Sequence, residues 1–171
     1  MIDQDGGFYS SMDADSEGVE GKYYVWQRSE IEEILGKEDA NVFAQYFDIT
    51  EEGNWEGNSI PRIIMQKSSL SNLLKISEDK LSDSLSTSRT KVKKYRASRI
   101  PPGTDDKVIV SWNGLMISSL AKASSVLGKK EYFDAADKAV NFITQKMSKK
   151  DGTLNRIYRK NVAHIDAFAE D

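Results

Sequence analysis

Trp112-Asn-Gly-Leu-Met-Ile-Ser-Ser-Leu-Ala-Lys-Ala-Ser-Ser-Val-Leu127-Gly-Lys-Lys-Glu-Tyr132-Phe-Asp-Ala-Ala-Asp-Lys-Ala-Val-Asn-Phe-Ile143-Thr-Gln-Lys-Met147 carries two apolar stripes separated by a short break. Trp112, Leu115, Met116, Ser119, Leu120, Ala123, Val126 and Leu127 recur three and four apart, and so do Tyr132, Ala136, Ala139, Val140, Ile143 and Met147. That spacing places each set on one face of an α-helix. Gly128 to Lys130 leaves room only for a tight turn, so the helices are expected to pack antiparallel as an αα-hairpin. Both stripes should then be buried against each other and against neighbouring helices, with Trp112 in the core. The fold class that follows is mainly α.

On the N-terminal side, Pro101-Pro-Gly103 breaks the chain after a segment in which Leu70, Leu73 and Leu74, then Leu81, Leu85, Val92 and Tyr95, recur at helical spacing. Two amphipathic helices joined near Ser77 are expected there. Arg89, Lys91, Lys93, Lys94, Arg96 and Arg99 form a basic run whose plain reading is a solvated helix face. Further back, Ser29 with Glu32 has capping-box spacing ahead of Ile31, Ile34 and Leu35, and Gly36 stops that helix. Another short helix is predicted from about Glu38 to Tyr46. Phe8 to Met12 alternates and Tyr23 to Trp26 is β-prone, so these two segments are expected to pair as a hairpin with the acidic, glycine-rich loop between them as its tip. Thr50-Glu-Glu-Gly-Asn-Trp-Glu-Gly-Asn58 repeats the character of that loop. Asp151-Gly152 begins a short extended piece through Tyr158, and Asp5-Gly6 stands in the same way before Phe8. Repeating helical hairpins with glycine-rich links describe an α/α toroid whose loops gather at one end.

Composition narrows the chemistry. The 171 residues are 39% hydrophobic and 30% charged, enough apolar content for a globular domain. A formal net charge of -3 and a pI near 5.3 argue against nucleic acid or an anionic membrane surface as the main partner. The N-terminal Met-Ile-Asp-Gln-Asp lacks the parts of a signal peptide and no apolar run reaches bilayer length, so a cytoplasmic protein is expected. With no cysteine and one histidine, His164, a disulfide frame, a thiolate nucleophile, a Cys-based zinc site and a His-rich metal site are excluded. No cofactor or metal is expected, and His164 reads as an exposed loop residue.

Clustered carboxylates in a glycine-rich loop repel one another unless a ligand or cation compensates, which makes the opening loop a candidate site. Asp13, Asp15, Glu17 and Gly18 match the first half of an EF-hand loop, but the bidentate position is Tyr24. The other readings are a hairpin tip satisfied by its own amides and Lys22, or a substrate cleft. Hydrolysis of a glycoside needs two carboxylates at a set separation. Asp13, Asp15, Glu17 and Asp106 are the candidate catalytic acids, with Asp105, Glu170 and Asp171 as further carboxylates. Trp26, Trp55 and Trp112 offer flat surfaces for sugar rings or are core residues. Asp105-Asp106-Lys107 leads into Trp112-Asn113-Gly114, where Asn113 either caps a helix or turns its amide to a ligand hydroxyl.

Gly-Gly-Phe-Tyr-Ser-Ser-Met-Asp-Ala-Asp-Ser-Glu-Gly (6 to 18), Glu-Gly-Lys-Tyr-Tyr-Val-Trp (20 to 26) and Asp-Asp-Lys-Val-Ile-Val-Ser-Trp-Asn-Gly-Leu-Met-Ile (105 to 117) together resemble the YyaL-like family of thioredoxin-domain-containing proteins, whose animal members are the spermatogenesis-associated ones. The resemblance implies a longer polypeptide, with a thioredoxin-like domain followed by a six-hairpin α/α barrel similar to carbohydrate-active enzymes. On that basis residues 1–171 are one fragment of the barrel holding about three helical hairpins with short β-hairpin loops. Residues 1–60 supply the glycine-rich β-hairpin and short helices, 61–104 the amphipathic helices and proline linker, and 105–171 the αα-hairpin and following strand. The opening loop also looks like that of sugar 2-epimerases of the same barrel class through Gly6, Gly7, Phe8, Tyr9, Lys22, Tyr24, Val25 and Trp26. Their catalytic histidines have no counterpart in the matched strings. The resemblance implies a sugar-like small molecule bound by Tyr9, Lys22, Trp26, Lys107, Trp112, Asn113, Glu170 and Asp171. It leaves open an isomerase, a hydrolase or an inactive scaffold for the thioredoxin-like domain. A fragment of a barrel should expose apolar surface and self-associate.

Overall fold

The computed structural model describes residues 1–171, which divide into two compact units, one made of 14–102 and the other of 1–13 with 103–171. The chain is mainly α, with six helices and a small antiparallel sheet larger than the sequence suggests.

In the unit 14–102, strands β2 (Asp15–Ser16) and β3 (Val19–Glu20) pair through a two-residue turn. Both turn residues, Glu17 and Gly18, have positive φ (55° and 74°), the mirror-image geometry that matches the twist of a hairpin. The tight turn overturns the expected long-tipped hairpin. Tyr23 to Val25 instead curl back, with Tyr24 and Val25 N–H both donating to the Gly21 carbonyl. Only Trp26 bridges to another segment, exchanging two backbone hydrogen bonds with Ser59 at 2.7 and 2.9 Å.

Helices α1 (Arg28–Leu35) and α2 (Lys37–Phe47) meet at Gly36, whose φ of 80° ends one and starts the other. The N-cap position is Gln27 rather than Ser29, which lies inside α1 and caps nothing. Helix α3 (Lys67–Leu74) leads to α4 (Glu78–Arg96), whose N-cap Ser77 accepts from Lys80 N–H at 3.3 Å. Glu78 and Asp79 in its first turn and Lys93, Lys94 and Arg96 in its last complement the helix dipole. Leu81, Leu85, Ser88 and Val92 form its buried stripe, which packs with Ile31, Phe43 and Leu70 into the core of this unit.

Arg99 closes the unit just beyond α4. Its Nη2 donates to both oxygens of Glu30 at 2.7 Å, and its Nη1 to the carbonyls of Tyr23 and Val25 at 3.0 and 2.9 Å. The guanidinium also lies 3.9 Å from the Trp26 ring centroid, and its side chain is only 17% exposed.

In the second unit β1 (Tyr9–Met12), β4 (Thr104–Ile109), β5 (Asn155–Arg159) and β6 (Val162–Asp166) form one antiparallel sheet in the order β1-β4-β5-β6. Strand β1 thus pairs with a partner far along the chain, Tyr9 opposite Val108 and Met12 opposite Thr104. Lys160 and Asn161, both at positive φ, turn β5 into β6, so the piece expected to end at Tyr158 becomes a hairpin that includes His164 opposite Ile157. Gly6 and Gly152, each at positive φ, precede β1 and β5. Helices α5 (Val110–Leu127) and α6 (Lys130–Lys146) are the anticipated αα-hairpin, turned at Gly128 with φ 65°. Ala136, Ala139 and Phe142 of α6 are buried. The α5 stripe is not: Trp112 is 54% and Leu115 70% exposed, which corrects the expectation of a core tryptophan. Helix α5 carries more apolar surface than α6 alone covers.

Asn113 lies within α5 rather than at its cap and is 1% exposed. Its Oδ1 accepts from Phe8 N–H at 2.8 Å, and its Nδ2 donates to Phe8 O at 3.0 Å and Ile109 O at 2.9 Å.

Replacing Arg99 by Ala leaves Glu30 and two carbonyls without their donor, and charged hydrogen bonds of this kind contribute about 2–3 kcal/mol. Urea denaturation followed by tryptophan fluorescence should show a loss of that size, and Arg99→Lys, which keeps the charge without the planar fork, should recover only part of it.

Candidate functional site

The opening loop meets the second glycine-rich loop within the unit 14–102. Together with the turn at Lys22 to Val25 and the segment from Ser98 to Ile100, they enclose a cavity of about 660 Å³. Its form follows from local sequence. Asn54 organises the second loop: its Nδ2 donates to the carbonyls of Asp48 and Ile60, both at 3.1 Å, and its Oδ1 accepts from Ile60 N–H at 2.8 Å. Gly53 at φ 74° runs so close to Asn58 that a Cβ would overlap the Asn58 carbonyl. Trp55 and Asn58 pair across the loop, and the Trp55 ring lies against Gly21, where a Cβ would sit 3.4 Å from it. The Ser16 hydroxyl donates to the Ile100 carbonyl and ties the hairpin to the far wall.

The charges in this cavity are sorted by pairing. Lys22 Nζ lies 2.8 Å from Glu17 Oε2, and Glu30 is taken up by Arg99. Glu20 and Glu56 have no basic partner and stand beside Trp55 and Tyr23. The cavity therefore offers an aromatic face, carboxylate acceptors and one ammonium donor, the means to hold a neutral ligand rich in hydroxyl groups.

Of the residues singled out from the sequence, Glu17, Lys22 and Trp55 come together here. Asp15 is exposed on β2 opposite Glu20, and Trp26 is buried along the neighbouring face of α4. The remaining ones belong to the other unit. Tyr9 donates to Asp3 at 3.1 Å, and burial, then that carboxylate, raises its phenol above the ordinary value. Asp13 donates its N–H to the Gly103 carbonyl at 2.8 Å. Asp106 pairs with Arg159, and Lys107 with Asp105 at 3.1 Å, an interaction that holds the Asp105 carboxyl below its ordinary range. Trp112 is exposed, while the Asn113 amide is used up on the backbone of Phe8 and Ile109. Glu170 and Asp171 share Arg156 at 3.2 and 3.1 Å, and the Phe168 N–H holds the Asp171 carboxyl below its ordinary range. No group of three or more His, Cys, Asp or Glu side chains is gathered as for a metal ion. The EF-hand spacing of Asp13, Asp15 and Glu17 is interrupted by the tight turn at Glu17 and Gly18.

Glu20, Glu56 and Arg99 were not singled out for this site from sequence. The likeness of the 50–58 loop to the opening one is the signal that could have found Glu56, whereas nothing local distinguishes Arg99 from the other members of its basic run.

The loop bearing Trp55 hangs on Asp48, whose carboxyl is held below its ordinary value first by the hydrogen bond from Arg62 (2.6 Å) and then by that from Asn54 (3.2 Å). A depressed carboxyl stabilises the fold above its unfolded pKa, near ~3.9, and the contribution disappears as pH falls through the lower folded value. Thermal unfolding below about pH 4 should therefore lose this contribution, and Asp48→Asn, measured in parallel, should show a weaker acid dependence.

No protein-family model matches the chain. An uncharacterized protein of Caenorhabditis elegans is 32% identical over 163 residues, covering 82% of this chain and 22% of that protein. Spermatogenesis-associated protein 20 of Homo sapiens is 27% identical over 167 residues, and that of Mus musculus 26%, each covering 83% of this chain and 21% of the relative. The chain thus spans about a fifth of the length of these curated relatives. Similarity of this degree over more than four fifths of the chain supports the spermatogenesis-associated protein 20 family as the one to which it is related.

Proposed function

We propose that the 660 Å³ cavity of the unit 14–102 binds a sugar-like, polyhydroxylated small molecule, and that the chain is part of a larger α/α toroid of helical hairpins. The observation that carries the binding proposal is the Trp55 ring set against Gly21 beside Glu20 and Glu56. The C–H face of a pyranose stacks on a flat indole, while carboxylates accept hydrogen bonds from its hydroxyls. The volume lies within the roughly 300–1,000 Å³ typical of small-molecule sites. Glu17 is matched by Lys22 and Glu30 by Arg99, which leaves Glu20 and Glu56 as the free acceptors for ligand hydroxyls. Titration of mono- and oligosaccharides by calorimetry and tryptophan fluorescence should give saturable binding, weakened by Trp55→Ala about tenfold, or roughly 1.4 kcal/mol. No heat at millimolar sugar, or binding indifferent to Trp55→Ala, would sink the proposal.

One observation favours a second reading, that of a binding scaffold. Leu115, Val126 and Leu127 of α5 are exposed by 70%, 81% and 59%, large apolar side chains at both ends of one helix that another protein surface could cover. In this reading they mediate self-association of the chain. Sedimentation velocity should show concentration-dependent association, abolished by Leu115→Glu together with Val126→Glu; a monomer at every concentration of the unsubstituted chain would overturn the reading.

A further inference from the structure

The basic run at the end of α4 is divided by its surroundings. Lys91 lies 3.9 Å from Asp39, and Arg99 closes on Glu30, but Arg89, Lys93 and Arg96 have no carboxylate partner. Spaced four and three apart, these three share one helix face. They border a cavity of about 360 Å³ whose apolar walls are Trp26, Phe43, Phe47 and Pro61. A second cavity of about 400 Å³ shares Phe47, Ser86 and Arg89 with the first and extends past Leu85 and Ser82 to Lys67. The shared walls make one groove along α4. Ile63 lines the second cavity and is 62% exposed, so apolar surface is open to solvent within it.

Three cations without a carboxylate partner, of which Arg96 also lies over the rings of Tyr23 and Tyr24 at 5.5 Å, stand beside an apolar floor on a chain of formal net charge -3 and concentrate positive potential where the rest of the molecule is acidic. From Ser82 to Arg96 the groove follows α4 for about 21 Å at ~1.5 Å per residue, and Arg89 to Arg96 is about two helical turns. An isolated small anion would meet only one end of it.

We propose that this groove docks an acidic amphipathic helix of a partner protein. The apolar face of that helix seats on Phe47, Pro61 and Ile63, while carboxylates spaced three and four apart along its edge pair with Arg89, Lys93 and Arg96. This is recognition by a helix in a groove, with the charged rim setting orientation and encounter rate and the apolar floor supplying area. The surface is distinct from the Trp55 cavity, and the proposal stands independently of sugar binding.

The test is titration of the intact chain with a designed peptide of about four helical turns, leucine and phenylalanine on one face and glutamate along the adjoining edge, followed by fluorescence anisotropy and calorimetry. Micromolar binding is expected, weakening with added salt. Arg89→Glu with Lys93→Glu, or replacement of the peptide's glutamates by glutamine, should weaken it about tenfold or more. Lys94→Glu, a charge reversal outside the groove, should leave it unchanged, and circular dichroism establishes that each variant is folded. Equal binding of the glutamine peptide, or an equal effect of Lys94→Glu, would reduce the interaction to apolar contact or overall charge and overturn the proposal. So would absence of peptide binding at millimolar concentration, or saturable binding of octanoate at Arg89 and Lys93 without binding of the peptide.

Discussion

The guanidinium of Arg99 is the constraint on which the unit 14–102 depends. The turn from Tyr23 to Val25 belongs to no sheet, so its carbonyls need a donor from elsewhere, and backbone acceptors left unpaired near a core are costly. Arg99 supplies that donor while binding Glu30 of α1 through both oxygens and lying over the Trp26 ring. A planar fork with five donors can do all three at once; an ammonium on a flexible stem cannot. One residue after the last helix therefore fixes the wall of the cavity, the start of α1 and the orientation of a core tryptophan.

Asn113 has the corresponding part in the other unit. Strand β4 runs directly into α5, whose N-cap Ile109 offers no side-chain acceptor. The buried amide of Asn113 instead binds both backbone groups of Phe8 and returns to the Ile109 carbonyl, fastening the entry of β1 to the first turn of the helix. An amide is suited to this because it donates and accepts side by side, matching a peptide unit. Its hydrogen-bonding capacity is spent within the fold, which is why a residue with the look of a ligand contact is a structural one.

The same principle separates the candidate sites from the rest of the charged surface. Asp106 with Arg159, Lys107 with Asp105, and Glu170 and Asp171 with Arg156 form ion pairs within the second unit. Two sets of charges without such a partner stand beside apolar surface in the unit 14–102: Glu20 and Glu56 beside Trp55, and Arg89, Lys93 and Arg96 beside Phe43 and Phe47. An acidic set beside an indole and a basic set along an apolar groove suit different ligands, so the two surfaces of the unit 14–102 carry different proposals.

The sequence by itself determined the helices, because their signals are local. The 3.6-residue spacing of Leu81, Leu85 and Val92, the cap at Ser77 and the stops at Gly36 and Gly128 act within a few residues of where they stand. It also marked the two glycine-rich loops, one of which brings Glu17 and Lys22 to the cavity and the other Trp55. Strand pairing was decided by tertiary structure: β1 alternates like a hairpin strand, but alternation does not say which strand lies alongside, and its partner β4 is far along the chain. The fates of Trp112, Asn113 and Arg99 were decided the same way. An exposed indole, a buried amide and a half-buried guanidinium are told apart only by which surfaces and unpaired backbone groups reach them when the chain is folded.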